Sequence, residues 1–252
     1  MIYGLYQSAA GMMVNDHRQG VLANNLANAE TVGFKRDIAT FAERIPASEA
    51  GRRFGPSSEL LEPLTGGVWQ GRTETDFSEG SFVKTDNPLD VAIAGPGFLQ
   101  VAHDGQQYLT RDGRMTLNAD GWLVSAADGS QVLGAGGAPI RLNPRTDISK
   151  LAIDEDGRIT VNNRQVARLE VVDAADYDAL RKVGGGRIEA GETELLHSPA
   201  KIVSKHTESS GVEPIKELVT MIEASRAYQF NAQMISLQDK SAGTLINAVA
   251  NT

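Results

Sequence analysis

The chain reads as a mixed fold: a mainly antiparallel β middle domain, and a discontinuous α-helical coiled-coil domain formed by the N- and C-terminal helices. Three observations predict this. Apolar residues recur at alternating steps of three and four along Leu218 to Val249, a matching apolar face occupies the N-terminal segment, and Asp-Gly pairs punctuate the middle at eight-residue spacing. The first two are helical periods with a seam, and the third is the turn chemistry of short strands folding back and forth.

Taken in order, the N-terminal helix places Ile2, Leu5, Ala9 and Met12 on one face, with an adjoining sevenfold row of Tyr6, Met13, Gly20 and Ala27. Its small side chains, Ala9, Ala10, Gly11, Gly20 and Ala23, let another backbone come close. It is expected to end near Asn28 or Ala29, since Thr31 and Val32 are β-branched and Gly33 suits a left-handed turn. Asn24, Asn25 and Asn28 crowd that end at a cost in helix propensity. They read equally as a solvated face fraying into a turn and as amides bonding a neighbouring chain.

Asp37 to Leu64 is charged and weakly patterned, with Pro46, Pro56 and Pro63, and is expected to be an extended linker or interaction arm. From Gly66 to about Val203, β-branched or apolar runs alternate with turns. Asp104-Gly105, Asp112-Gly113, Asp120-Gly121 and Asp128-Gly129 predict strands at 106–111, 114–119 and 122–127. Asp156-Gly157 separates 151–153 from 159–161, and Asn162-Asn163 turns the chain into 166–172. The last helix has Pro214 as a first-turn residue, Glu217 near its positive end, and a seam through Leu218, Met221, Ser225, Tyr228, Ala232, Ile235, Asp239, Ala242, Ile246 and Val249. At 1.5 Å per residue that seam runs roughly 48 Å, longer than a compact domain needs. The expected division is 1–36 with 206–252 as a helical domain, 37–65 as arm, and 66–205 as β domain.

Composition narrows the function. A net charge of -8 over 252 residues and a pI near 5.1 argue against a phosphate-tracking nucleic-acid binder. There is no cysteine, so disulfides and thiolate sites are excluded. The N-terminus lacks the basic region of a cleavable secretory signal, and no apolar run is long enough to span a bilayer. His17, His103, His197 and His206 are scattered without metal-ligand spacing. Asp154-Glu155-Asp156 resembles a calcium loop only at its start, because Gly157 falls at the fourth position and Gln165 at the twelfth. Gly95-Pro96-Gly97 lacks the third glycine of a dinucleotide loop, and no phosphate-loop or nucleophile-elbow motif occurs. No catalytic residue, cofactor or metal is expected.

Three blocks resemble the axial proteins of the bacterial flagellum, and within them the basal-body rod proteins: ANNLANAETVGFKR (23–36), NPLDVAIAGPGFLQV (87–101) with YLTRDGRMTLNADGWLV (108–124), and ELVTMIEASRAYQFNAQMIS (217–236). Ser210-Gly211-Val212 departs from the family's usual Ser-Asn-Val. The resemblance implies a structural role without enzymatic activity, in which the terminal helices form an inner tube and the β domain sits outside it. It implies partners in the chain itself, in neighbouring rod proteins and in the flagellar type III export apparatus, and a place in the periplasmic rod reached without a cleavable signal. Together with the seams, it makes Leu5, Ala9, Met12, Asn24, Asn25, Leu26, Asn28, Phe34, Leu218, Met221, Ile222, Tyr228, Ile235 and Ile246 the candidate subunit-interface residues. Competing readings are a secreted β domain with a glycan-binding or hydrolytic cleft on a helical stalk, and a cytoplasmic coiled-coil adaptor. The first requires a concave pocket with convergent carboxylates or aromatics within 66–203.

Overall fold

A computed structural model describes residues 2–43, 67–144 and 148–250. The chain divides into two compact units, one built from the terminal segments with 37–76, the other from 28–36 with 77–212.

In the first unit, α1 (Ile2–Ala27) pairs with α2 (Pro214–Ala250). α1 stops just short of the expected Asn28, and α2 begins at Pro214 as its missing N–H allows. The two helices run antiparallel, with Gly4 against Gln238 and Gly11 against Asn231. Beside α1 lies a two-stranded antiparallel ribbon of β1 (Asp37–Glu43) and β2 (Val68–Thr75), bulged between Ala39 and Phe41. The expected arm therefore opens as a paired strand, and its remainder falls outside the described residues. A ribbon of two strands is marginal alone, so its attachment to α1 matters. Part of that attachment is Asn25, whose side-chain amide donates to the Asp37 carbonyl at 2.8 Å and accepts from the Asp37 N–H at 2.8 Å, and part is the 3.3 Å contact between the Thr73 hydroxyl and the His17 ring.

The second unit is antiparallel throughout its named strands. These are β3 (Phe82–Lys84), β4 (Val91–Ala94), β5 (Phe98–His103), β6 (Gln106–Thr110), β7 (Met115–Leu117), β8 (Leu123–Ser125), β9 (Gln131–Val132) and β10 (Leu151–Ile153). There follow β11 (Arg158–Val161), β12 (Arg164–Arg168), β13 (Val171–Ala174), β14 (Arg181–Gly184), β15 (Arg187–Glu189), β16 (Leu195–His197), β17 (Lys201–Ser204) and β18 (His206–Glu208). The main sheet runs β14-β15-β6-β5-β9-β8-β7, with β13 joining β5 and β16 joining β13. β10-β11-β12 form a meander, while β17 pairs with β4 and β18 with β3. Val91, Ile93, Leu99, Val101, Leu123 and Ile159 are buried at its centre. A second cluster sets Phe98 edge-on to Phe77 at 5.7 Å, with Tyr177 beside both.

The turn readings hold unevenly. Asp104-Gly105 takes φ of 50° and 79°, and Asn162-Asn163 takes 50° and 62°, which are the paired left-handed angles of two-residue hairpins joining β5 to β6 and β11 to β12. Asp112-Gly113 is no such turn. Gly113 has no positive φ, β6 and β7 are not neighbours in the sheet, and a Cβ on Gly113 would overlap the Val91 carbonyl oxygen. Glycine there permits a close backbone crossing, with the Val91 N–H donating to the Gly113 carbonyl at 3.0 Å.

Candidate functional site

The two sides of α2 differ in what they meet. Ala224 is fully buried and Glu217 nearly so, and Asn231 and Gln238 lie over glycines of α1. These four residues are spaced by seven, and Asn231 and Gln238 mark the seam with α1. On the opposite side Ile215, Val219, Ile222, Phe230 and Leu237 form a stripe at helical spacing, exposed by 80% at Ile215, 54% at Ile222 and 64% at Phe230. α1 likewise turns Tyr6 and Met13, seven residues apart, to the exterior at 68% and 70%.

Among the candidate residues, Met221, Tyr228 and Ile235 are half-buried, as are Ala9, Met12 and Leu26, while Leu5, Leu218, Ile222 and Ile246 are exposed. The apolar seam read from the sequence thus straddles two surfaces. Half of it flanks the contact with α1 and half faces away. Asn24 is exposed. Asn25, 1% exposed, serves its own chain through Asp37. Asn28 accepts from the Thr31 backbone N–H at 3.1 Å and from the Thr31 hydroxyl at 3.2 Å.

Phe34 belongs to a buried clasp in the second unit. Glu208 accepts from Lys35 Nζ at 2.5 Å, from Arg111 Nη1 at 3.1 Å and from the Gly80 N–H at 2.8 Å. The Gly33 N–H donates to the Glu208 carbonyl at 2.8 Å and the Gly211 N–H to the Phe34 carbonyl at 2.9 Å, which ties 33–35 to 208–211. Lys182 sits 4.1 Å from the Phe34 ring centroid and donates to the Lys35 carbonyl. Burial pushes the Lys35 ammonium below the usual lysine range, although the Glu208 hydrogen bond and charge pull the other way. Lys35 and Arg111 each lay in a recognisable block, but Glu208, which holds both, is remote in sequence from either and carried no local signal.

Among the described residues no cluster of side chains assembles a reaction centre. A cleft of about 210 Å³ in the second unit is lined by Glu155, Asp156, Arg168, Glu170, His197 and Lys201 over an apolar floor, without an aromatic wall. Its polar side chains have partners close by: Lys201 pairs with Glu155 at 2.8 Å, the His197 ring lies 3.8 Å from the Glu170 carboxylate, and Arg168 Nε donates to the Asp156 carbonyl at 3.2 Å. Asp154 accepts from the Asp156 and Arg158 N–H groups and from the Arg158 guanidinium, as turn chemistry. No group of three or more metal-ligating side chains occurs among the described residues. No described helix is long and apolar enough to cross a membrane.

Three family models match the chain: Flagella basal body rod protein over residues 5–35, Flagellar hook protein FlgE/F/G D1 domain over 92–161, and Flagellar basal body rod FlgEFG protein C-terminal over 203–248. The flagellar basal-body rod protein FlgG of Buchnera aphidicola subsp. Schizaphis graminum is 30% identical, over 95% of this chain and 97% of that protein. FlgG of Bacillus subtilis is 28% identical over 98% and 99%. FlgF of Caulobacter vibrioides is 31% identical over 92% and 91%.

Proposed function

The chain belongs to the flagellar basal-body rod FlgE/F/G family, and from that premise we propose that it polymerises through its terminal helices into the torque-transmitting rod. It is a structural protein, not an enzyme. The observation that carries the assembly reading is the apolar stripe on α2, turned away from α1, with Tyr6 and Met13 exposed on α1. Five such side chains on one helix face exceed what scattered surface apolars explain, and each returns on the order of 1.5–3 kcal/mol when fully covered. Contacts between unlike surfaces that do not close on themselves build a helical filament, and many weak repeats make it stiff. Sister subunits and neighbouring rod proteins supply the covering faces. Delivery through the type III export apparatus belongs to the same proposal.

Within the rod we propose the proximal position, that of FlgF, on the Val132-Leu133-Gly134 block leading to Pro139-Ile140 and on the Caulobacter relative. The distal position, that of FlgG, is the second reading, favoured by the near full-length FlgG relatives. Labelling this chain in purified basal bodies separates them by its distance along the axis.

The assembly test is Ile222→Asp with Phe230→Asp in the full chain, as the cell's sole copy. The expected result is a soluble chain with the thermal transition of the second unit unchanged, absent rods and immotile cells. Normal rods and swimming would overturn the role of the stripe.

A further inference from the structure

The seam between α1 and α2 is built from unusual material for a helix pair. Glycine inside a helix costs roughly 1 kcal/mol relative to alanine. α1 nonetheless carries Gly4, Gly11 and Gly20. Two of these have an evident reason. A Cβ on Gly4 would lie 2.9 Å from Gln238 Nε2, and one on Gly11 would lie 2.9 Å from both terminal atoms of Asn231. Nothing comes within 4 Å of a Cβ on Gly20, which is out of step with the other two. Residues 4 and 11 are seven apart, as are 231 and 238, and they pair in antiparallel order. Carrying that register onward sets Ala224 opposite Arg18 and Glu217 opposite Asn25, and Ala224, Glu217 and Asn25 are all buried. Each layer through 224 places a long or amide side chain against a small one.

We propose that Gly4 with Gln238 and Gly11 with Asn231 form a register key that admits α2 of the same chain to α1 in a single alignment. Slipping one heptad in one direction puts Asn231 over Arg18, two long side chains in one layer, and sets the branched Leu245 in place of Gln238 over Gly4. Slipping the other way puts Ala224 over Gly11 and opens a void. An apolar seam would tolerate such shifts, because leucine-like contacts are nearly interchangeable between heptads, whereas polar layers fix alignment at a cost in stability. Gln238 shows that cost, since its Oε1 is buried without a hydrogen-bond partner. The key is a property of one chain. Its use, keeping a neighbour's apolar helix face out of this seam while leaving the outer stripe of α2 available, rests on the rod assignment.

The natural absence of cysteine makes a clean test possible. In the purified full-length chain, dilute and in a thiol–disulfide buffer, Ser8→Cys with Met234→Cys reports the native register. Ser8→Cys with Ala227→Cys reports a slip of one heptad. The native pair is expected to close intramolecularly at least about tenfold more readily than the slipped pair. Gly11→Asn alone should erase that preference and raise the disulfide-linked dimer. Gly11→Asn with Asn231→Gly exchanges large for small within the same layer and should restore it. Equal closure of the two pairs, closure of neither above a Cys pair placed outside the seam, or failure of the size exchange to rescue would each overturn the key. Rod assembly by the unaltered chain is scored separately, so loss of the key and loss of the rod assignment read out differently.

Discussion

Glu208 anchors a buried charge cluster in the second unit. It is 1% exposed and holds two cations, Lys35 and Arg111, that are themselves buried. Glu208→Gln keeps the shape but removes the charge that justifies both, and breaking a buried pair of this kind costs about 3–5 kcal/mol. The expected outcome is a drop of that size in urea-unfolding stability. Tyr177 gives a second test at this scale. Its hydroxyl donates to Asp173 at 2.5 Å, and burial, followed by that hydrogen bond and the Asp173 charge, pushes its pKa up to about 12. A raised pKa means the folded state holds the proton more tightly than the unfolded chain. The associated stability is present below the ordinary tyrosine value of 10.0 and is lost as pH climbs from there toward about 12. Ultraviolet difference titration should show one late-ionising tyrosine, absent in Tyr177→Phe, whose stability should fall less over that window.

Helices and ribbon show where a sequence stops disclosing its own packing. The existence of both helices, the start at Pro214 and the turns at Asp104-Gly105 and Asn162-Asn163 follow from local chemistry, and these stand. The seam was half legible. Counting apolar residues selects Leu218 and Ile246, which face outward, and passes over Glu217, Asn231 and Gln238, because hydrophobic periodicity registers neither an amide over a glycine nor a buried polar layer. Asp112-Gly113 shared its neighbours' spacing without their conformation, because its glycine serves a close crossing with Val91. Spacing left Asn25 open between solvent and a neighbouring chain, and within its own chain its amide bonds Asp37. Asn25→Ala removes a hydrogen-bond partner from each backbone group of Asp37 and is expected to cost about 1–3 kcal/mol. The loss should appear as faster amide exchange along Asp37–Glu43, with the second unit unaffected.

For the molecule as a whole, the two units are stabilised by different means, and this sets what a solitary copy can do. The second unit closes around continuous apolar clusters such as Leu99, Val101, Leu123 and Ile159. The first relies on a seam of glycine, amide and alanine flanked by half-buried apolar residues, with Leu22 its one large buried hydrophobic among the described residues and much of its apolar area on the outside. Little apolar burial secures the helix pair until a neighbour covers its outer stripe, so its opening free energy in the monomer is expected to be no more than about 2 kcal/mol, against several for the strands. Amide exchange on a proven monomer should therefore show Ile2–Ala27 and Pro214–Ala250 exchanging orders of magnitude faster than β5 and β6, and slowing by at least about a hundredfold after incorporation into rods. Strong protection of both helices in the monomer would mean that the chain's own contacts already suffice, leaving the outward stripe without an energetic role in polymerisation. A rise confined to assembled material identifies the neighbour's surface as the missing part of the core and makes folding of the termini and growth of the shaft one coupled step.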